Sequence, residues 1–353
     1  ITQFTNPIGT KGYLDILVND VKKRVYITDT HLEEDTANLE HKSNYSLINY
    51  NRAGVPLLET VTDPCINSAE EALAFLENLR SMFLYLGVSQ ARADRGQIRC
   101  DVNVSLHKEN EPFGTRVEIK NVNSFGNVYK VILGEIKRQT DILNNNGVID
   151  QETRRYDEAL DVTVAMRSKV DAIDYKYYVE PNIPKIKIEK SFIDEVKQTI
   201  PKLQYERYEN YNNLNISKVD INKIIKEKVI SDFFDECLAL GADPIKCCNL
   251  FVTNVLFILN KENKKINELY LKPSHLVDIM NLLENNTISS KQAKELISKT
   301  NELEKEPMVL VKELNMEQVT DSSLILSIVN EVLDEQVEAI EEIKAGRDKK
   351  VNF

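Results

Sequence analysis

The most regularly spaced ionisable side chains lie between positions 98 and 120. Apolar residues alternate strictly with polar ones from 98 to 107, and the alternation resumes at 116–120 after a loop. This period of two is typical of half-buried strands with one polar face. If the two strands pair, one sheet face carries the side chains of Arg99, Asp101, Asn103, Arg116, Glu118 and Lys120.

Two interpretations of this polar face remain open. Arginine forks bind phosphate oxygens and carboxylates bind Mg²⁺, so the face would suit a charged ligand that carries phosphate. The alternative is a solvated outer face with cross-strand ion pairs, because antiparallel sheets commonly face water on one side. Under the first interpretation, Asn103 and Asn123 add hydrogen-bonding groups.

Acidic residues near the start of the chain form a second candidate site. In an extended strand, His31, Glu33 and Asp35 point one way and Glu34 the other. Such a cluster is costly unless a cation or an arginine neutralises it, although a solvated acidic loop fits the composition as well. Glu59 lies in an apolar run, where a carboxylate should be paired, bind a metal or point outward.

The sequence excludes several classes of site. It contains no Walker A motif, no dinucleotide-binding G-x-G-x-x-G and no G-x-S-x-G. Its four histidines are scattered, which argues against a histidine-based zinc hydrolase. The five cysteines form no C-x-x-C pair, so we expect free thiols in a reducing compartment rather than a zinc site or a disulfide framework.

The composition is that of an ordinary globular chain. It has 353 residues, a formal net charge of −11, 42% hydrophobic residues and 29% charged residues. This length suggests about two or three domains, and no apolar run approaches the roughly 18 residues that a membrane helix needs. The acidic balance argues against a uniformly basic nucleic-acid binder but leaves room for local basic patches.

The elements that must position these side chains differ between the two halves of the chain. Short strands are predicted at 11–19 and 22–29, with Asn19-Asp20 as a hairpin turn. Helices are predicted at 68–86, 124–144, 191–200, 217–240, 244–260, 272–284, 289–300 and 321–345. The first half is therefore mixed α and β and the second half almost entirely helical, with a boundary at the prolines near 181–184.

Seven strings of residues, taken in order, resemble one family over essentially the whole chain. The strings are His31-Leu-Glu-Glu-Asp35, Tyr50-Asn-Arg-Ala-Gly-Val-Pro-Leu-Leu-Glu59, Arg99-Cys-Asp-Val-Asn-Val-Ser105, Phe113-Gly-Thr-Arg-Val-Glu-Ile-Lys-Asn-Val-Asn-Ser-Phe125, Glu135-Ile-Lys-Arg-Gln139, Gln151-Glu-Thr-Arg-Arg155 and Met166-Arg-Ser-Lys169. Each string alone is weak, but the ordered set is highly specific. The chain resembles the B subunits of the aspartyl/glutamyl-tRNA(Asn/Gln) amidotransferases.

The resemblance implies an enzyme, a carbon–nitrogen ligase with glutamine as the amido donor. Its substrate would be a misacylated tRNA, Glu-tRNA(Gln) or Asp-tRNA(Asn). The γ-phosphoryl group of ATP would be transferred to the side-chain carboxylate, with Mg²⁺, and ammonia would then displace phosphate. The ammonia would come from a partner amidase subunit, and a small third subunit would bridge the heterotrimer.

The resemblance also implies an α+β fold in three domains. We expect a cradle (kinase-like) domain with a mixed or antiparallel sheet at 1–186, an all-helical domain at 187–266 and a small helical tail domain that contacts tRNA at 267–353. We also expect a fragment that lacks the N-terminal part of the cradle and the end of the tail. The expected location is the bacterial cytoplasm, with a bacterium-derived organelle as the alternative.

The site residues are carried over from the matching strings. Glu34 and Glu59 resemble magnesium ligands of the family. The residues assigned to catalysis in the ATP and acceptor pocket are Arg99, Asp101, Asn103, Glu118 and Lys120. Those assigned to ATP contacts are Arg52, Arg116, Asn121 and Asn123.

A non-catalytic tRNA-binding or scaffolding protein of the same fold remains the alternative. Basic stretches at 185–190, 261–265 and 347–350 would serve either function, and as isolated features they are more often solvated helix ends. The carboxylates favour the enzyme, because beside phosphate they would repel RNA without a metal.

Overall fold

The computed structural model describes Gln3 and residues 6–19, 21–166, 182–184, 186–318 and 322–336. It divides into two compact units, Ile1–Leu203 and Gln204–Phe353. The predicted domain boundaries after 186 and 266 stay a prediction, and Pro181 and Lys185 beside the first of them lie outside the described residues.

Over its described residues, the first unit is built on three sheets. Its strands are β1 (Gly9–Val18), β2 (Val21–Glu34), β3 (Asn38–His41), β4 (Ser46–Asn49), β5 (Pro56–Thr62), β6 (Cys100–Val104), β7 (Val117–Val122), β8 (Thr153–Asp157) and β9 (Val162–Ala165). They pair in the orders β1-β2-β5, β3-β4 and β6-β7-β8-β9. The pairs are antiparallel except for β7 with β8, which is parallel. The predicted α+β class is therefore confirmed, while the cradle arrangement stays a prediction.

The first hairpin forms where the sequence predicted it. Val18 of β1 lies opposite Val21 of β2, and Asn19 in the turn has a φ of 50°. Asparagine tolerates this left-handed conformation better than most residues. Ile16 and Val25 are buried, so one face of the hairpin packs into the core of the unit.

Helix α1 (Ala69–Leu86) begins and ends at the predicted residues. The Ser68 hydroxyl accepts from the backbone N–H of Glu71 at 3.2 Å, and the Glu71 carboxylate accepts from the N–H of Asn67 at 2.7 Å. Gly87 ends the helix with a φ of 69°, a conformation that costs glycine little. These caps fix the ends of a helix whose apolar face covers the sheets.

Helix α2 (Phe125–Asn144) and α1 share one hydrophobic core with the strands. The core includes Phe75, Leu76, Leu79, Val102, Val104, Val117, Ile119, Val128 and Val131. Because Val102, Val104, Val117 and Ile119 face this core, the alternate residues of β6 and β7 face the other way. The first unit also contains α3 (Lys190–Thr199).

The second unit is helical over its described residues. Its helices are α4 (Gln204–Asn213), α5 (Lys218–Ile224), α6 (Lys228–Ala239), α7 (Pro244–Leu250), α8 (Leu256–Glu262), α9 (Pro273–Glu284), α10 (Ser290–Leu303), α11 (Pro307–Glu313) and α12 (Ser322–Glu335). A π-helical turn at Phe251–Val255 joins α7 to α8. One core runs from Tyr211 to Met316, so residues on both sides of position 266 pack together. Among the described helices, none has the length and apolar character needed to cross a membrane.

The prediction of a single helix at 217–240 is wrong, because a non-helical residue between α5 and α6 interrupts it. Glu227 is extended, with a φ of −129°, and α6 begins after it. The Ser231 hydroxyl donates to the carbonyl oxygen of Ile224 at 3.0 Å and so satisfies a group that the break exposes. Of the helix predicted at 321–345, residue 321 and everything beyond 336 lie outside the described residues.

Candidate functional site

The polar face predicted from the alternation of β6 and β7 is present. Asn103 lies opposite Glu118 in the antiparallel register. Lys120 Nζ lies 3.5 Å from Glu118 Oε1 and 4.0 Å from Asp101 Oδ2. The structure therefore brings together three of the predicted catalytic residues, with a cation between two carboxylates.

Strand β8 adds a residue to this face that the sequence analysis did not identify. β8 runs parallel to β7, and Thr153 lies opposite Glu118. The Thr153 hydroxyl donates to Glu118 Oε2 at 3.0 Å, and the residue is only 7% exposed. The sequence did not predict this strand, because residues 151–158 carry charges on both faces and so lack the alternation of apolar and polar residues that indicates a strand.

Arg99 and Arg52 meet at one carboxylate. Arg99 Nη2 lies 2.7 Å and Arg52 Nε 2.8 Å from Asp35 Oδ2, and the Asp35 side chain is about 10% exposed. Burial raises the pKa of Asp35, but the hydrogen bond from Arg99 and the charges of both arginines outweigh it and lower the pKa below its usual range. Asp35 follows β2 and Arg99 precedes β6, so this cluster links the ends of two sheets.

Arg52 has a second anchor on the loop before β6. Its Nη1 donates to the carbonyl oxygen of Gly96 at 2.8 Å. Gly96 has a φ of 60°, and a Cβ atom there would lie 2.8 Å from the same Nη1. The left-handed conformation favours glycine, and a Cβ atom at this position would force the Arg52 guanidinium to shift.

A second cluster lies where β2 pairs with β5, with His31 opposite Glu59. His31 Nε2 is 3.1 Å from Glu59 Oε2 and 3.5 Å from Glu33 Oε1, while Nδ1 is 2.9 Å from Asp29 Oδ1. His31 and Glu33 share one side of β2, as the alternation predicted. Glu59 projects toward them from the neighbouring strand.

The electrostatics of this cluster are those of crowded carboxylates around an imidazole. Burial lowers the pKa of His31, but the hydrogen bond to Asp29 and the charges of Glu59 and Glu33 raise it overall. The pKa of Glu59 is raised by burial and by the charge of Glu33, against the opposing effect of His31. The carboxylates around His31 therefore stabilise a positive charge on its imidazole.

The donor set of this cluster fits a divalent cation. One ligand atom from each of His31, Glu33 and Glu59 lies within 4.8 Å of the others. His31 Nδ1 contacts Asp29, so Nε2 faces the carboxylates of Glu33 and Glu59. A metal-binding histidine commonly has its other ring nitrogen hydrogen-bonded to a carboxylate in this way. Glu34, the predicted ligand next to Glu33, is exposed and lies opposite Pro56, so it is not part of this group, and its role stays a prediction.

The remaining predicted residues lie on or beside the same sheet. Asn103, Arg116 and Asn123 are exposed. Asn121 lies in β7, but its side chain is outside the described residues. Their contacts to ATP stay a prediction.

A buried ionic cluster lies between α2 and the strands β8 and β9. Glu135 is 0% exposed and accepts from Arg138 Nε at 2.9 Å, from Gln139 Nε2 at 3.1 Å and from the Thr163 hydroxyl at 3.0 Å. Arg154 donates to the Thr163 hydroxyl at 2.9 Å and to its carbonyl oxygen at 2.7 Å. The family strings at 135–139 and 151–155 therefore meet in one cluster, which fixes β8 and β9 against the helix.

The Cys100 thiol of β6 is not an activated nucleophile. All five cysteines are free, as predicted. Burial raises the pKa of the Cys100 thiol to about 12, so it is protonated at neutral pH. The chemistry of the site therefore rests on its carboxylates and cations.

Comparison with known proteins gives matches over both units. The model of one family, the GatB/GatE catalytic domain, matches residues 1–194, and that of the GatB domain matches residues 232–353. A protein from Macrococcus caseolyticus (strain JCSC5402), named as the B subunit of aspartyl/glutamyl-tRNA(Asn/Gln) amidotransferase, is 41% identical over 355 residues. Proteins of the same name from Oceanobacillus iheyensis and Persephonella marina are 41% and 39% identical over 356 residues. Each alignment covers 100% of this chain and 75% of the relative.

Proposed function

The chain belongs to the B-subunit family of the aspartyl/glutamyl-tRNA(Asn/Gln) amidotransferases, and from this premise we propose that it catalyses the ATP-dependent amidation of misacylated tRNA. The substrate would be Glu-tRNA(Gln), Asp-tRNA(Asn) or both. The polar face of β6 and β7, where Lys120 lies between Glu118 and Asp101, is the observation that carries the proposal.

The first step activates the side-chain carboxylate of the aminoacyl group. A carboxylate oxygen attacks the γ-phosphorus of ATP, the bond to the bridging oxygen breaks, and ADP leaves. Lys120 and Arg99 offset the negative charge that spreads over the transferred phosphoryl group. No protein nucleophile is required, in agreement with the protonated Cys100 thiol.

The second step forms the amide. Ammonia attacks the acyl phosphate at its carbonyl carbon, and inorganic phosphate leaves with the electrons of the broken C–O bond. By resemblance to the family, release of ammonia from glutamine is assigned to a partner amidase subunit. A small third subunit is proposed to bridge the two.

Mg²⁺ is proposed at the carboxylates of the first sheet. Glu34 and Glu59 are the ligands inferred from the family. His31 and Glu33 lie beside Glu59 and would hold an ion together with it, whereas Glu34 is not part of this group. When bound, the ion would neutralise phosphate charge and orient the γ-phosphoryl group. Arg52, Arg116, Asn121 and Asn123 are proposed to contact ATP.

The test is ATP hydrolysis by the protein assembled with its partner subunits and supplied with ammonia. We expect hydrolysis and amide formation that depend on the misacylated tRNA, with little hydrolysis when uncharged tRNA replaces it. Tight tRNA binding without any hydrolysis would contradict the proposal and favour a non-catalytic tRNA-binding protein.

A further inference from the structure

Glu118 is held on the polar face by contacts to both of its carboxylate oxygens. Oε1 faces Lys120 Nζ at 3.5 Å, and Oε2 accepts from the Thr153 hydroxyl at 3.0 Å. The Thr153–Glu118 hydrogen bond joins the parallel strands β8 and β7, and its two residues are 35 positions apart in the sequence. We propose that Thr153 is a positioning residue, which holds the Glu118 carboxylate in the orientation that places its other oxygen against Lys120.

The burial of Thr153 makes its hydroxyl an effective anchor. The residue is 7% exposed, whereas the Lys120 side chain is 39% and the Glu118 side chain 24% exposed. A buried threonine has few side-chain rotamers, so its hydroxyl is a more rigid donor than the lysine. The carboxylate is the acceptor of this bond, and bonds to a charged acceptor are stronger than neutral ones.

The position of Thr153 is in turn fixed by its neighbour on the opposite face of β8. Arg154 donates to the Glu152 carboxylate at 2.6 Å and to both side-chain and backbone oxygens of Thr163. Thr163 also donates to the buried Glu135. Because this cluster locks β8 between β7 and β9, the register that places Thr153 opposite Glu118 is set by buried charge pairs.

The kinetic consequence rests on the proposed function. If Lys120 and Glu118 act in phosphoryl transfer, loss of the Thr153 hydroxyl should lower kcat more than it raises KM. Both carboxylate oxygens could then turn toward Lys120, in orientations that do not suit the transition state. tRNA affinity should change little, because the hydroxyl is committed to Glu118.

The variants Thr153→Val and Thr153→Ser test this role in the assembled enzyme. Valine keeps the shape and removes the hydroxyl, while serine keeps the hydroxyl. We expect Thr153→Val to lower kcat for tRNA-dependent amidation about 10- to 100-fold, and Thr153→Ser to restore most of it. Thr300→Val is the matched control: it removes the hydroxyl of a buried threonine in the second unit, so it should leave kcat nearly unchanged whatever it does to the Tm.

Crystal structures of the two Thr153 variants separate this proposal from the proposed function. We expect the Glu118 carboxylate to leave its position in Thr153→Val and to keep it in Thr153→Ser. A Glu118 that stays in place in Thr153→Val overturns the proposal, as does a kcat loss that serine fails to restore or that merely follows the Tm. The two proposals can also fail separately. If the wild-type assembly shows no tRNA-dependent hydrolysis but Glu118 is displaced in Thr153→Val, the proposed function is contradicted and the positioning role of Thr153 is supported.

Discussion

Glu59 is the single residue whose charge should matter most for activation. Its carboxylate lies 3.1 Å from His31 and shares the cluster with Glu33. Replacing Glu59 with glutamine keeps the size and removes one negative charge from the proposed cation site. We expect ATP-dependent activation to fall by about 100-fold or more, while tRNA affinity is nearly unchanged. Initial rates of tRNA-dependent ATP hydrolysis and filter binding of tRNA measure the two effects.

The control is Glu77→Gln, which removes an exposed carboxylate from α1. It should leave both quantities unchanged. Normal activation together with lost tRNA binding in Glu59→Gln would contradict the metal role.

Glu135 gives the clearest pH dependence of stability. Burial raises its pKa, but hydrogen bonds from Arg138, Gln139 and Thr163 lower it below the ordinary value. A lowered pKa means that this stabilisation is complete above the unfolded value of about 4.3 and is lost as the pH falls through the folded value. Glu135→Gln should cost about 1.5–3 kcal/mol at neutral pH, because it removes the charged acceptor of hydrogen bonds from partly buried groups.

The measurement is urea unfolding of both proteins as a function of pH. The difference in the free energy of unfolding should be constant from about pH 7 to 5 and should shrink as the pH falls below about 4. Lys137→Gln, an exposed change on the same helix, should show no such dependence. A difference that grows toward acid would mean that the sign of the pKa shift is wrong.

Local capping signals are sufficient to place α1. The Ser68 hydroxyl accepts from the N–H of Glu71, one of the donors that the start of a helix leaves without a partner. Ser68→Ala should lower the free energy of unfolding of the first unit by about 1 kcal/mol, whereas Ser68→Asn should cost much less because it keeps an acceptor. Urea unfolding of the three proteins makes the comparison, and equal losses in both variants would mean that the acceptor at position 68 does not account for the stabilisation.

Strand β8 shows what local pattern cannot specify at the scale of elements. Its five residues, Thr153–Asp157, carry charges on both faces, yet they form the parallel partner of β7. Arg154 donates to Thr163, which lies 9 positions further along the chain in β9, and its Nε lies 3.8 Å from the Glu135 carboxylate in α2. An ionic cluster of this kind has no period along the chain, so a search for periodicity finds nothing there.

At the scale of the whole molecule, the net charge of −11 requires any RNA contact to be local. A groove of about 650 Å³ in the second unit is lined by Lys246, Lys291 and Lys294, with Glu284 as the acidic neighbour. Lys246 pairs with Glu284 at 2.9 Å. Because residues 267–353 are predicted to contact tRNA, Lys291 and Lys294 are the cations to test.

The double variant Lys291→Gln/Lys294→Gln should weaken tRNA binding. The slope of log K against log salt should fall by up to about 2, since each phosphate contact contributes roughly 0.9. Substitution is preferable to deletion, because residues on both sides of position 266 share one core. Lys299→Gln on the same helix, whose lysine already pairs with Glu302 at 2.9 Å, is the control. An unchanged slope in the double variant would count against this groove as an RNA contact.

The sequence by itself determined the features that depend on near neighbours. The alternation at 98–107 specified β6 and its polar face, Ser68 and Gly87 specified the ends of α1, and the ordered strings specified the family. These signals are local because side-chain direction along a strand and capping at a helix end are set within a few residues. The interruption between α5 and α6 was not predicted, because the apolar period continues through it. Its exposed carbonyl group is satisfied by the Ser231 hydroxyl, which the period does not reveal.

Only the tertiary structure decided which distant residues meet. Asp35 joins Arg99 across 64 positions, Thr153 meets Glu118 across 35, and His31 meets Glu59 across 28. The last two contacts follow from strand register, including the parallel pairing of β7 with β8. Asp35 and Arg99 instead lie just beyond the ends of strands in two different sheets. Strand register depends on the packing of whole sheet faces and on buried charge pairs. The free energy that favours one register is therefore distributed over the unit, and no short stretch of sequence reveals it.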